Sequence, residues 1–351
     1  MTTPHALRVA VAGATGAVGR EMLALLEQSP WPLAEVRALA SHRSAGQQLP
    51  FRDRALTVAT LDAHNLQGLD LVLFSAGGAV SLQMAPVAAQ AGALVIDNSS
   101  AFRMEHNVPL VVPEVNPHHA ADALPARGGR GIIANPNCST IQMVVALQPL
   151  HRAAGLRRVI VSTYQSVSGA GAAGIQELQD ATRALALGLD EPAPRKFAHP
   201  IAFNAIPHID AFLDNGYTRE EMKMTLETRK IMALPQLHVS ATCVRVPVLR
   251  GHSEAVTAEF ERHISAQEAR RLLADAPGLT LLDDTTQNRY PLPRQAAHQD
   301  STFVGRIRED QDRDATLHLW IVSDNLRKGA ATNAVQIMDL LLAQGLLPAN
   351  R

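Results

Sequence analysis

Two cysteines occur in the 351 residues of this chain, and one of them stands where a thiol can do chemistry. Cys138 lies in Asn135-Pro136-Asn137-Cys138-Ser139-Thr140, after the apolar run Gly131-Ile132-Ile133-Ala134 and before a helical pattern that includes Ile141, Val144, Val145 and Leu147. That order puts the thiol at a helix mouth, where backbone N–H groups lack intrahelical partners and the helix dipole is positive, and both favour a thiolate. Such a setting lowers a cysteine pKa from about 8.5 and makes the sulfur a nucleophile. Cysteine is also a small hydrophobe, so the local pattern alone leaves an inert buried thiol open. Cys243 sits in Val239-Ser240-Ala241-Thr242-Cys243-Val244, a strand pattern with no such turn, and is expected to be structural. A proton carrier would be a histidine, with an ordinary pKa near 6.5. Residue type alone does little to select one among the 14 histidines.

A second chemistry is written at the start of the chain. Leu7–Ala12 reads as a buried strand that enters Gly13-Ala14-Thr15-Gly16-Ala17-Val18-Gly19 and then a helical pattern through Glu21, Met22, Leu25 and Leu26. Glycines at this spacing let a backbone approach a pyrophosphate, which then rests on the helix N-terminus. A glycine turn alone is weak, but a strand before it and a helix after it are the context a dinucleotide site needs. The next strand ends in Leu39-Ala40-Ser41-His42-Arg43-Ser44, without the carboxylate that an NAD ribose would use. Arg43 with Ser41 and Ser44 would instead hold a 2′-phosphate, which favours NADP; a solvated loop arginine is the plainer alternative.

The elements that must position these residues fall into two textures. Strand candidates at 35–40, 69–75, 93–97 and 131–134, with an alanine-rich helix at 80–91, predict a parallel doubly wound sheet. Beyond about residue 155, candidates at 158–163, 238–248, 254–261, 302–308 and 315–323 alternate polar and apolar residues, the period of a mixed or antiparallel sheet buried on one face. Helices at about 172–187, 218–232 and 265–274 are expected to cover that sheet. A last helix near 330–343 is apolar enough to return to the first domain, and 284–299 reads as a surface loop. The expected fold is therefore α/β, a Rossmann-like doubly wound NADP-binding domain plus a second, α+β domain with a mixed, largely antiparallel sheet. The expected boundaries are 1–135 completed by 325–351 for the first, and 136–324 for the second.

Composition narrows the classes. Lys and Arg number 32 against 33 Asp and Glu, a formal charge of −1 that calls for neither nucleic acid nor an anionic membrane. No apolar run approaches the ~20 residues of a membrane span, and the N-terminal residues lack a signal-peptide pattern. Two cysteines suit a reducing compartment, so a cytoplasmic protein is expected. Neither has a histidine or cysteine at ligand spacing, and no metal is expected.

In chain order, Gly13–Gly19, Asp97–Arg103, Val112–Asn116, Asn135–Thr140, Tyr164–Gly171, Glu220–Lys223, Arg245–Val248, Gly251–Glu254 and Ser323–Ala331 resemble the motifs of the aspartate-semialdehyde dehydrogenases, in their shorter bacterial form. The resemblance covers essentially the full chain. It implies NADPH-dependent conversion of L-aspartyl 4-phosphate to L-aspartate 4-semialdehyde and inorganic phosphate, a step toward lysine or diaminopimelate, methionine, threonine and isoleucine. It implies Cys138 as acyl-thioester nucleophile, His252 as acid/base and Gln165 as the residue that orients substrate and thioester. Arg245 would take the α-carboxylate and Glu220 the α-ammonium, with Arg103, Lys223, Asn137 and Ser100 on the phosphate. The cofactor would meet Gly13, Thr15, Gly16, Ala17, Val18, Arg43, Ser44, Ser75, Gly77, Ser168, Gly169 and Asn325. A homodimer, or a dimer of dimers, is also implied, with the second domain as the catalytic and dimerisation domain. Two other readings remain. A reductase of N-acetylglutamyl phosphate would have no free ammonium for Glu220. A silent NADP-binding regulatory or scaffold protein would have no need of Cys138, Gln165, Arg245 and His252 together.

Overall fold

The computed structural model describes residues 6–347, so the N-terminal reading of residues 1–5 and the last four positions of the expected C-terminal segment lie outside the described residues. The chain forms two compact units, 1–137 with 330–351, and 138–329, so the chain passes from one to the other at the Asn137–Cys138 peptide bond.

The first unit is built on a six-stranded parallel sheet. Its strands are β1 (Leu7–Ala12), β2 (Leu33–Ala40), β5 (Ala59–Thr60), β6 (Leu71–Phe74), β7 (Leu94–Asp97) and β8 (Ile132–Ala134), in the order β5-β2-β1-β6-β7-β8. The strands are apolar through both faces, as in the wholly buried β6 and β7, because helices lie on a doubly wound sheet. Helix α1 (Ala17–Glu27) follows β1 and α2 (Gly78–Gln90) follows β6. Strand order reverses between β1 and β6, which makes the crevice beyond their carboxyl ends the natural ligand position in such a sheet. Sequence patterning misses a hairpin, β3 (Gln48–Phe51) with β4 (Arg54–Thr57), and the two-residue β5, because each is too short to show a period.

The second unit opens with α3 (Cys138–Ala154) and holds a mixed sheet of β9 (Leu156–Gln165), β10 (His238–Arg245), β11 (His252–Phe260), β12 (Leu279–Leu281), β13 (Thr302–Glu309) and β14 (Thr316–Ser323). The order is β10-β9-β11-β14-β13-β12; the outer pairs β10/β9 and β12/β13 are parallel and the rest antiparallel. Strand β10 stops at Arg245, short of the expected Val248, where Pro247 has no N–H to give the ladder.

Three helices cover one face of this sheet: α3 packs on β9, β11, β13 and β14, α5 (Arg219–Ile231) on β10, and α6 (Ala266–Ala274) on β12 and β13. Helix α4 (Ala172–Ala186), expected among them, packs instead on the turn Val167–Ala170, where Leu178 and Ala181 join Val167, Ile201, Ala202 and Ile206 in a separate small core. Its pattern correctly announces one apolar stripe, but a stripe does not name its partner. The region expected to be a loop at 284–299 includes a short helix, α7 (Pro293–Ala296). The final helix α8 (Thr332–Ala343) belongs to the first unit, where Ala334, Ile337, Met338 and Leu341 enter the core and Trp31 Nε1 donates to Asp339 at 3.0 Å. Among the described residues no helix is long and apolar enough to cross a membrane.

Candidate active site

In the second unit the sheet brings separated residues to one end of one face. Gln165 and Arg245 are cross-strand partners at the ends of β9 and β10, and His252 opens the antiparallel β11 beside them. Alternation puts Gln165, Thr163, Arg245, Cys243, His252 and Glu254 on the buried side, all at most 6% exposed. Helix α5 adds Glu220 and Lys223. Its start is fixed by a capping box in which Thr218 and Glu221 bond each other's backbone N–H, at 3.3 and 2.7 Å. Cys138 is the first residue of α3 and remains partly exposed, whereas Ser139 and Thr140 after it are buried.

Charge neutralisation ties the cluster together. Arg245 Nη1 donates to the Ser166 carbonyl at 2.6 Å. Burial lowers the Arg245 pKa, against the attraction of Glu220, Cys138 and Cys243. Gln165 Nε2 donates to Glu220 Oε1 at 3.2 Å, and Lys223 Nζ donates to Glu220 Oε2 at 3.0 Å and to Asp210 at 2.8 Å. Burial acts to lower the Lys223 pKa, but the two carboxylates outweigh it and the ammonium is held above its ordinary range. Asp210 carries no signal in the sequence, since it lies outside the helix on a residue with positive φ.

His252 is fully buried, and its Nδ1 accepts from the Ser166 N–H at 3.1 Å. Burial first, and the Arg245 charge second, hold its pKa well below 6.5. The Glu254 carboxyl, two residues on, is pushed well above its ordinary range by burial, opposed only by Gln142 of α3. Cys243 is buried, and burial, reinforced by Glu220, raises its thiol pKa far from the range of a nucleophile.

Gly329 and Ser166, neither named as a site residue from the sequence, complete the site together with Gly169, which was expected at a cofactor. A Cβ on Gly329 would lie 2.8 Å from that of Cys138, so only glycine lets this segment approach the thiol so closely. A Cβ on Gly169 would lie 2.9 Å from Arg245 Nη1 and 3.3 Å from His252 Nε2. Ser166, whose carbonyl and amide hold Arg245 and His252, lies inside a motif but was not singled out by its residue type. Asn325, expected at a cofactor, has its Oδ1 accepting from Ser166 Oγ, Ser168 Oγ and Gly251 N at 3.1, 3.0 and 3.0 Å.

In the first unit the fingerprint turn fits a nucleotide. Gly13 adopts φ +87°, and a Cβ there would come within 2.4 Å of the Ser75 carbonyl on the loop after β6. The turn leads into α1, whose N-cap Gly16 offers no side chain to its first amides, and α2 starts likewise at Gly77. Uncapped helix amides beside bare backbone are the donor set a pyrophosphate requires. Thr15, Ala17 and Val18 lie in this turn, Ser75 follows β6, and Arg43 and Ser44 follow β2. The Arg43 side chain is exposed, with no hydrogen bond or ion pair among the described residues. Arg103 is buried and donates to the carbonyls of Asn135 and Asn98, each at 2.9 Å, while Asn333 donates to Asn135 Oδ1 at 2.7 Å. These bonds hold the loop that carries buried Asn137; Ser100 is exposed.

Comparison with known proteins matches two family domains along the chain. Residues 8–123 match the family described as semialdehyde dehydrogenase, NAD binding domain, and residues 147–328 match semialdehyde dehydrogenase, dimerisation domain. The chain is 53% identical over 341 residues to the aspartate-semialdehyde dehydrogenase of Aquifex aeolicus, covering 97% of this chain and 99% of that protein. It is 52% identical over 343 residues to that of Bacillus subtilis, covering 95% and 97%. Its structure is similar to the crystal structure of aspartate semialdehyde dehydrogenase II from Vibrio cholerae complexed with ASA, with TM-score 0.92, 47% identity and coverage of 97% and 99%. The Candida albicans aspartate semialdehyde dehydrogenase with NADP aligns with TM-score 0.75, 26% identity and coverage of 97% and 100%.

Gly169→Ala is expected to unseat Arg245 from the Ser166 carbonyl and to cost about 1 kcal/mol of stability, the worth of the hydrogen bond lost. A urea titration checks it; an unchanged midpoint would show that the loop yields without disturbing the guanidinium.

Proposed function

We propose a specific reaction for this chain, which belongs to the aspartate-semialdehyde dehydrogenase family: NADPH-dependent reductive dephosphorylation of L-aspartyl 4-phosphate through a thioester on Cys138. The observation that carries this reading is the partly exposed thiol at the start of α3, in a unit whose sheet end gathers Gln165, Arg245, His252 and Glu220. An acyl phosphate is a poor hydride acceptor, and a covalent thioester divides the task into two easier steps. The helix start favours the thiolate form of Cys138. Bound NADPH supplies the hydride.

The remaining residues answer the charges of an acidic, phosphorylated amino acid. Arg245 suits the α-carboxylate because a guanidinium meets a carboxylate with two parallel hydrogen bonds. Glu220 suits the α-ammonium, and its present bonds to Lys223 and Gln165 are ones a competing cation would share. Gln165 orients substrate and thioester. His252 serves as the acid/base toward the oxygen of the reacting carbonyl, where negative charge develops. Lys223, Arg103, Asn137 and Ser100 are assigned to the phosphate. For the cofactor we assign the Gly13–Gly19 turn with Thr15, Gly16, Ala17 and Val18, the Ser75 and Gly77 loop, and Ser168 and Gly169 with Asn325. Arg43 and Ser44 favour NADP, since they follow β2 where a carboxylate would favour NAD. A homodimer in the cytoplasm, serving lysine, methionine, threonine and isoleucine synthesis, completes the reading. An N-acetylated substrate suits the site less well, because buried Glu220 would lose its ammonium partner.

Cys138→Ala is expected to abolish phosphate-dependent NADP reduction by aspartate semialdehyde, with NADP binding and the unfolding midpoint retained. Substantial turnover by this variant would refute the covalent route. Arg43→Ala is expected to lower the preference for NADP over NAD by on the order of tenfold, the loss of one charge-assisted contact. The ratio of kcat/KM for the two cofactors measures it, and an unchanged ratio removes Arg43 from the account.

A further inference from the structure

We infer that Phe197 is a positioning residue for Arg245: its ring covers one face of the guanidinium and fixes it as a dry edge for the substrate carboxylate, and Glu177 latches the ring in place. The inference rests on the proposed pairing of Arg245 with the α-carboxylate, and it gives a task to a segment that the thioester chemistry does not use.

Arg245 is 6% exposed, yet its guanidinium makes one hydrogen bond among the described residues, from Nη1 to the Ser166 carbonyl at 2.6 Å. A guanidinium has five N–H groups, so most of them stay unspent. The root of the side chain is fixed, because the Arg245 backbone exchanges hydrogen bonds with Ile206 at 2.8 and 2.9 Å. The far end is steadied by an aromatic face. The guanidinium carbon lies 5.8 Å from the centroid of the Phe197 ring, within cation–π range.

This placement suits recognition of an anion. The N–H groups point outward in the guanidinium plane, so a ring on its face competes with none of them for a carboxylate. The ring takes the place of water there, and attraction between guanidinium and carboxylate grows as the surroundings dry. It also narrows the rotamers open to Arg245, so less ordering is left to occur when substrate arrives.

No regular element brings Phe197 to this position. It belongs to the long connection between α4 and α5, and within Arg195–Pro200 it alone is not exposed. Helix α4 sets its place. Glu177 Oε2 accepts from the N–H groups of Arg195 and Lys196 at 3.0 and 2.6 Å, and Oε1 accepts from that of Phe197 at 3.4 Å. Three successive amides converging on one carboxylate turn the segment back onto the helix. Nearly one turn earlier, Gly174 lacks the Cβ that would stand 3.1 Å from Phe197 Cζ, which leaves room for the ring. The ring packs beside Val167 and Ile206, the neighbour of Ser166 and the backbone partner of Arg245.

Steady-state kinetics of the full chain, read as phosphate-dependent NADP reduction by aspartate semialdehyde, test the inference in Phe197→Leu and Glu177→Gln. Leucine keeps apolar volume in the small core but has no flat π face. Glutamine leaves the ring intact but offers only one acceptor oxygen, so at least one of the three amides loses its partner. In both variants KM for aspartate semialdehyde is expected to rise on the order of tenfold, with kcat and the KM values for phosphate and NADP unaltered. Hydrogen exchange in the peptide containing Arg195–Phe197 is expected to quicken in Glu177→Gln. An unchanged KM for aspartate semialdehyde in Phe197→Leu overturns the inference, and so does an equal rise in all three KM values, which would reduce the ring to packing. Unaltered exchange in Glu177→Gln removes Glu177 as the latch. A wild type that does not turn over aspartate semialdehyde would refute the proposed reaction and take the inference with it, so the two failures are separable.

Discussion

The buried guanidinium of Arg245 is the constraint on which the second unit's site depends. An unpaired charge taken out of water costs several kcal/mol, so its surroundings must answer it. The Ser166 carbonyl, at 2.6 Å, and the attraction of Glu220 and Cys138 do so. Each answer has a consequence. Ser166 is drawn into a fixed turn at the end of β9, and the same turn carries the amide that meets His252. Glu220 is drawn into the face of the sheet, where it engages Gln165 and Lys223. Burial first, and the Arg245 charge second, hold the His252 pKa well below its ordinary value.

That constraint also explains why a mixed sheet serves the chemistry. Arg245 and Gln165 end parallel neighbours, and His252 begins the antiparallel strand on the other side of Gln165. Three side chains far apart in sequence therefore share one end and one face. Helix α3 starts with Cys138 and packs its buried residues on the same sheet, so the proposed nucleophile is set by a rigid element, not by a loop. Cys243, on the same face but two residues deeper in β10, is made inert by the burial that the mutual packing creates.

Much of this was legible in the sequence. The strand, glycine turn and helix at 7–27 were readable because a fully buried parallel strand and an amphipathic helix have distinct periods. The alternation in 316–323 announced a half-buried strand for the same reason. What escaped was relational. The α4 stripe did not reveal that its partner is the Val167–Ala170 turn. Glu220 and Lys223 were expected at the charges of a substrate, but Asp210, which shares the Lys223 ammonium, comes from a turn with no pattern. Ser166 and Gly329 act through backbone or through the lack of a Cβ, properties that residue type does not advertise.

The central claim is that Cys138, at the start of α3, carries the acyl group. Peptide mass spectrometry of the full chain incubated with aspartate semialdehyde and NADP, without phosphate, tests it most directly. The thiohemiacetal gives up hydride to NADP and leaves an aspartyl thioester, expected on the peptide containing Cys138 and discharged when inorganic phosphate is added. An adduct on Cys243, or phosphate-dependent turnover with no adduct on Cys138, would contradict the account.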